Sequence, residues 1–312
     1  MTQPYNSSMA WFTDITLQMY SFLAQLEKCP LLRLVTVIYH FTGLSMKMSA
    51  VCSLRRGVIE EGDLVIVFQS YDQMSLAKVE AGKCWLGKPG TFKMDRFIGK
   101  PFGARLQADH SPGGRRGRPF PRGWIVLLEP TPQLWTLGLS HRTQIIYQTD
   151  IAYILLHLEV SPGSRVIESG TGSGSMSLSL AQAIAPHGHL FTFEFNEERF
   201  KGALEDFAKL GITEMVTVTH RNVIEHGFGL NEIEPESIDA VFLDLPAPWH
   251  AIDSAALHLR EGGKICSFSP CIEQVQRTCA VLREKQFSGT LFSKLVMNFG
   301  RNRDVGSLVS WL

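Results

Sequence analysis

Val166-Ile167-Glu168-Ser169-Gly170-Thr171-Gly172-Ser173-Gly174-Ser175-Met176 joins a short apolar run to a glycine cluster, and the cluster to a segment of helical character, Met176 to Ile184. A strand, a tight turn and a helix N-terminus in that order bring backbone N–H groups close to a bound nucleotide or nucleoside. Glycine clusters bounded by apolar residues are also plain turns, so the flanking sequence has to carry the rest.

Working outward, the pattern repeats. Downstream come a strand at Leu190 to Phe193, a helix at Glu197 to Leu210 and a strand at Met215 to Val218. The apolar runs Ile238 to Leu243 and Lys264 to Phe268 follow, then a helix from about Ile272 to Glu284. Repeated β–α units predict a Rossmann-like α/β domain, a parallel sheet covered by helices on both faces. Its ligands belong at the C-terminal ends of the strands. Upstream, His141 to Leu158 has helical spacing, with Ile145, Ile151, Leu155 and Leu158 on one face. Before that, Asp63 to Phe68, Ser75 to Val79 and Gly123 to Leu128 read as short strands of a small β-rich N-terminal domain. The expected division is an atypical extension at 1–55, a small β-rich domain at 56–139 and the Rossmann-like domain at 140–312.

The chain has 312 residues, 45% of them hydrophobic, enough for a large domain and a smaller one. Its 30 basic and 30 acidic residues leave no net charge, which is awkward for a lone nucleic-acid binder. A local patch or a basic partner would resolve this. The one basic stretch is His110 to Arg122, with Arg115, Arg116, Arg118 and Arg122, near Lys93, Arg96, Lys100 and Arg105. It reads either as a solvated loop or as a phosphate-contacting arm. The six cysteines form no CxxC pair or His–Cys metal spacing, so buried thiols in a reducing compartment are expected and no metal. Leu31 to Phe41 is apolar but too short to span a membrane, and Arg33 and His40 interrupt it. No secretory or mitochondrial leader is expected.

Glu194 ends the second strand, where an acidic side chain can accept from both ribose hydroxyls of an adenosine-containing ligand. NAD and S-adenosyl-L-methionine share that geometry. The spacing Gly170-x-Gly172-x-Gly174 lacks the dinucleotide form, and Glu168 beside the turn would repel a pyrophosphate but suit a cationic ligand. S-adenosyl-L-methionine is therefore the expected cofactor. Asn222, after the third strand, reads as an adenine contact or as a turn asparagine, and Arg199 as a solvated or ribose-side residue. Asp244 is the catalytic candidate. It ends an apolar run and opens a loop that Pro246 and Pro248 stiffen, with Trp249 beside it. A carboxylate on a rigid support next to a cofactor suits the recognition and activation of a flat base. The alternative is an Asp that caps a proline turn.

Taken together, six segments resemble the catalytic subunit of the eukaryotic tRNA adenine-N1 methyltransferases. They are Ile98 to Gly103, Pro130 to Thr136, His141 to Ile145, Glu168 to Ser175, Phe242 to Trp249 and Cys266 to Gln274. The resemblance runs from about Gly57 to Phe287. It implies a Rossmann-like S-adenosyl-L-methionine-dependent methyltransferase domain that methylates N1 of adenosine 58 in the tRNA T-loop. It also implies a nuclear heterotetramer of two catalytic and two non-catalytic subunits. By the same resemblance Asp244 is the catalytic residue and Glu194 holds the ribose. Asn222, with Val223 beside it, stands where the family has an aspartate. Gln144 to Ile146 and the turn Glu168, Ser169, Gly170, Thr171, Gly172, Ser173, Gly174 and Ser175 line the methionine and ribose side.

Two departures stand out. Residues 1 to about 50 match nothing expected of the family. After Leu291 to Val296 the chain lacks the family's closing strands, which predicts an unpaired sheet edge and weak partner binding. The alternatives are methyl transfer to another RNA or to a protein, or a cofactor-binding inactive isoform.

Overall fold

The computed structural model describes residues 57–71, 73–110, 123–139, 145–299 and 303–311; beyond Leu291 it describes backbone alone, Ser293 excepted. The extension at 1–55, the arginines between 111 and 122, and Gln144 lie outside the described residues.

Seven strands form the main sheet: β7 (Arg165–Ser169), β8 (His189–Glu194), β9 (Val216–His220), β10 (Ile238–Leu243), β11 (Leu259–Ser269), β12 (Leu291–Phe299) and β13 (Arg303–Trp311). Their order is β12-β13-β11-β10-β7-β8-β9. The five strands from β7 to β11 run parallel, and β13 lies antiparallel to β11. Chain order reverses between β7 and β10, so a crevice opens there at the strands' C-terminal ends.

Alternation along the strands builds a core on each face. Val166, Ala240 and Phe242 pack against α2 (Gln148–Leu158), α3 (Ser175–Ile184) and α4 (Glu197–Leu210). Ile167, Val241 and Leu243 pack on the other side, against α5 (Val223–His226), α6 (Ile252–His258) and α7 (Ile272–Glu284). Gly211 ends α4 in the left-handed conformation, φ 68°, a position that favours glycine.

A second sheet, order β2-β1-β6-β5, is antiparallel and precedes the first. Its strands are β1 (Leu64–Ser70), β2 (Gln73–Lys78), β5 (Arg105–Gln107) and β6 (Trp124–Leu128), accompanied by the hairpin β3 (Cys84–Gly87) and β4 (Gly90–Lys93). Val65, Val67, Phe92, Phe97, Ile125 and Leu127 fill its core. Between the sheets runs α1 (Pro132–Gly138), capped by Thr131, whose Oγ1 accepts the Leu134 N–H. A Cβ on Gly138 would lie 2.9 Å from Ile66 Cδ1, so α1 packs tightly on the small sheet. Trp135 and Leu64 belong to the same apolar cluster as α2 and α3.

Three expectations need correction. The family-type closing strands are present: β12 and β13 pair along nine residues and β13 covers β11 from Cys266 to Ser269, leaving β12 as the edge. The Tyr153 hydroxyl of α2 meets Ser293 Oγ at 2.6 Å, which ties that hairpin to the body. Of the helix expected over His141 to Leu158, the described part begins at Gln148; Tyr147 is extended, φ −86°, ψ 161°, and Ile145 and Ile146 precede the helix as irregular chain. The Ile146 carbonyl faces a side chain of α3 instead of its own helix. Of the described thiols, Cys266 and Cys279 are buried as expected, but Cys84 and Cys271 are exposed. Among the described residues no helix is long and apolar enough to cross a membrane.

Candidate active site

The ends of β7 and β10 are stitched together where they meet the glycine turn. The Asp244 N–H donates to Ser169 O at 2.9 Å. Gly170 takes φ +100°, and a Cβ there would stand 2.4 Å from the Asp244 carbonyl oxygen. Gly174, φ +74°, begins α3 with no side-chain cap, and a Cβ on it would meet Phe207 at 2.8 Å. The turn therefore lies flat against its neighbours and leaves the first N–H groups of α3 without a capping side chain.

Glu194 sits at the end of β8, 2% exposed. Its Oε1 accepts from Asn196 N (2.9 Å), Arg199 Nε (3.0 Å) and Arg199 Nη2 (2.7 Å). Among the described residues its Oε2 accepts only from Gly172 N, at 2.9 Å. Burial alone would raise its pKa, but Arg199 and the two backbone N–H groups outweigh that and hold it below the usual carboxylate value. The carboxylate is thus ionised, fixed in one rotamer and left with acceptor capacity on Oε2 alone. Arg199 is not a free surface cation; its guanidinium clamps Glu194.

A cavity of about 430 Å³ opens beside Glu194. Gly170, Gly172, Glu194, Asn222, Val223 and Asp244 line it, together with Arg199 and Ser169. Its apolar wall comes from Phe195 and Ile224, 68% and 37% exposed, which the sequence reading did not single out. The available signal was position: Phe195 directly follows Glu194 at the end of β8, and Ile224 lies two residues after Asn222 at the next β–α junction. Asn222 Oδ1 accepts the Ile224 N–H at 3.2 Å and caps α5. Its amide also carries N–H donors that an aspartate would lack.

A narrow crevice continues from this cavity past Asp244, lined by Ile145, Ile146, Thr171, Ser173, Ser175 and Met176. Asp244 stands where the two spaces meet. Burial first, and then the Glu194 charge, push its pKa up to about 6. Its loop is fastened from behind by α7. Gln274 Nε2 donates to Pro246 O at 2.8 Å, and the Arg277 guanidinium lies 5.3 Å from the centre of the Trp249 ring.

Glu168 lines neither space. It points under α3, fully buried, where Ser177 Oγ donates to its Oε2 at 2.6 Å and its Oε1 has no hydrogen-bond partner among the described residues. Burial pushes its pKa up to about 8, against the pull of the Ser177 and Thr192 hydroxyls and with a further push from Asp244 and Glu194. Thr192 is itself engaged with Thr171, hydroxyl to hydroxyl, at 2.6 Å. A second large cavity, about 850 Å³, surrounds Arg260, Lys264 and Lys285 at the opposite end of the sheet. Those cations are paired with Asp239, Glu159 and Asp253.

The sequence model described as the tRNA methyltransferase complex GCD14 subunit matches residues 123–297, more than half of the chain. The chain belongs to that family. The tRNA (adenine(58)-N(1))-methyltransferase catalytic subunit of Dictyostelium discoideum is 45% identical over 231 residues, 74% of this chain and 70% of that protein. Its counterpart in Cryptococcus neoformans is 44% identical over 232 residues, 74% of this chain and 50% of that protein. The chain thus spans between 50% and 70% of the length of these relatives. Among solved structures, an S-adenosylmethionine-dependent O-methyltransferase from Thermotoga maritima superposes with a TM-score of 0.67 at 26% identity, covering 82% of this chain and 94% of that one. The tRNA (m1A58) methyltransferase TrmI of Aquifex aeolicus superposes at 0.62 with 24% identity, covering 81% and 97%, and shares the fold.

Proposed function

We propose that this GCD14-family chain is a catalytic subunit that transfers a methyl group from S-adenosyl-L-methionine to N1 of adenosine 58 in the tRNA T-loop. The observation that carries the reading is the position of Asp244: a carboxylate at the strand switch point, on a proline-stiffened loop, between a nucleoside-sized cavity and a crevice at a helix N-terminus. The residues present fit the cofactor. Gly170 and Gly174 occupy positions where a Cβ would collide, Glu194 keeps an acceptor site for a ribose hydroxyl, and Phe195 and Ile224 offer apolar surface for adenine.

When bound, S-adenosyl-L-methionine supplies an electrophilic methyl group on a positively charged sulfur and departs as a neutral thioether. The chain's own residues do the rest. Glu194, held by Arg199, fixes the ribose, and the uncapped N-terminus of α3 receives the negative end of the amino-acid moiety. As N1 of the target adenine attacks, positive charge spreads to its exocyclic amine. Asp244, ionised above pH about 6, accepts a hydrogen bond from that amine and stabilises the charge. The adenosine must leave its stack first, at an unstacking cost of a few kcal/mol.

The same reading includes a non-catalytic partner subunit, two copies of each in a nuclear complex. A basic partner accounts for tRNA binding by a chain of zero net charge. The test is co-expression with the partner subunit, incubation with unmodified tRNA and methyl-labelled cofactor, and nucleoside mapping. Label in T-loop 1-methyladenosine, lost with Asp244→Ala, supports the reading; label elsewhere, or none from a folded complex, overturns it. Tagged chain outside the nucleus overturns the compartment alone.

A further inference from the structure

The segment Pro130 to Thr136 is left without a task by the site described above, although α1 carries it to the back of the cofactor crevice. Thr136 is 3% exposed and Ser175 5% exposed. Their hydroxyl oxygens are 2.7 Å apart. The Thr136 hydroxyl also donates to Pro132 O at 2.9 Å, and Gln148 Nε2 donates to Thr136 Oγ1 at 3.2 Å. Ser175 Oγ in turn reaches Ile146 O at 3.3 Å. One hydroxyl thus joins three elements: α1, the start of α2 and the first residue of α3. Two residues at the end of this network, Ser175 and Ile146, line the crevice, whereas Thr136 does not.

Two hydroxyl hydrogens serve three contacts. Thr136 donates to Pro132 O, so its oxygen accepts from Gln148 and shares the Ser175 hydrogen with Ile146 O. Removing that oxygen takes from Ser175 its shortest polar contact, leaving Ile146 O at 3.3 Å, and leaves Gln148 Nε2 only the longer bond to Pro132 O at 3.4 Å. Nearby, Trp135 Nε1 points at Ser173 O across 3.5 Å, so α1 faces the glycine turn along its length.

We propose that Thr136 is a positioning residue for cofactor binding: its hydroxyl, through Ser175 and Gln148, sets the crevice wall at the N-terminus of α3. Because Gly138 of the same helix packs on Ile66, the small sheet becomes part of what holds the cofactor site in shape. The inference rests on the cofactor half of the proposed function and does not need the tRNA half.

The test separates hydroxyl from shape. Thr136→Val keeps the volume and loses the oxygen; Thr136→Ser keeps the oxygen and loses a methyl group. Calorimetric titration of S-adenosylhomocysteine into the cofactor-free complex should show about tenfold weaker binding for Thr136→Val and a change within twofold for Thr136→Ser. In turnover, Thr136→Val should raise KM for the cofactor and leave kcat within threefold. Val binding like wild type, or Ser weakened as much as Val, overturns the proposal. If melting shows that Thr136→Val does not fold, Gln148→Met removes one of the two donors in its place. About threefold weaker binding is expected there, and none overturns the idea. A wild-type complex that binds S-adenosylhomocysteine but leaves tRNA unmodified would sink the substrate assignment while the Val and Ser comparison still stands.

Discussion

Replacing Glu168 by Gln should stabilise this protein, and do so only at neutral and alkaline pH. Glu168 is fully buried, with Oε2 held by Ser177 and Oε1 without a hydrogen-bond partner among the described residues. Its pKa in the fold is about 8, against an ordinary value of 4.5, chiefly from burial. Between those two values the folded state binds a proton that the unfolded chain has released, so stability falls as pH rises. The interval is 8 − 4.5 = 3.5 units. At about 1.4 kcal/mol per unit, the loss is about 5 kcal/mol once pH passes the folded value, and about 3 kcal/mol at pH 7. Glutamine matches the neutral acid in shape, keeps an oxygen for Ser177 and never ionises. Melting of the cofactor-free complex is the assay, run from pH 5 to 8.5 for both forms. At pH 5 the two should melt together. By pH 8.5 the variant should lead by roughly 10–20 °C, taking about 2–4 °C per kcal/mol for a chain of this size. A gap that does not grow with pH, or a variant that melts lower at pH 8.5, refutes the reasoning and means that Glu168 is already ionised in the fold well below pH 8.

Asp244→Asn should lower methyl transfer by roughly 10²–10³-fold while cofactor binding by calorimetry changes little. In the wild type, kcat/KM should fall as pH drops below about 6, where Asp244 gains its proton; an acid limb near 4 would contradict the assignment. Arg199→Ala removes both guanidinium bonds to Glu194 and should weaken S-adenosylhomocysteine binding by about tenfold. Arg199→Lys should recover only part of that, since one ammonium cannot offer the same fork. Gly170→Ala places a Cβ 2.4 Å from a backbone oxygen at φ +100°, and should cost roughly 2–3 kcal/mol in melting experiments. Wild-type stability with alanine there would show that the turn is looser than described.

What the sequence disclosed follows the range of the interactions. The glycine turn, Glu194 at a strand end and Asp244 before Pro246 are local patterns, each set by residues within a few positions. The helices Glu197–Leu210 and Ile272–Glu284 and the strand Ile238–Leu243 emerged with the boundaries their apolar periodicity implied. Other features depend on distant partners. Thr136 acquires its place only when Ser175, far along the chain, folds against it. Glu168 next to the turn invited a ligand contact, but period-two alternation puts it on the face of Val166, beneath α3. The strand Arg303–Trp311 was not expected after Leu291 to Val296; pairing with Leu291–Phe299 and with β11 makes it a strand.

That hairpin bears on the chemistry through β11. β13 pairs with Cys266 to Ser269, the last residues of β11 before the chain turns at Cys271 into α7. Parallel pairing with β10 secures the other side of the same residues, Phe242 opposite Cys266 and Leu243 opposite Ser267. The start of α7 is therefore fixed relative to the end of β10, from which Asp244 emerges. From that fixed start Gln274 reaches Pro246 O, while its own Oε1 accepts the Cys271 N–H. Arg277, one turn later, covers Trp249. The carboxylate is thus held in front by Ser169 O on its own N–H and behind by α7 on its loop. A side chain that must meet an exocyclic amine within hydrogen-bond distance gains from being fixed before the base arrives, because no loop ordering is then left to oppose the reaction.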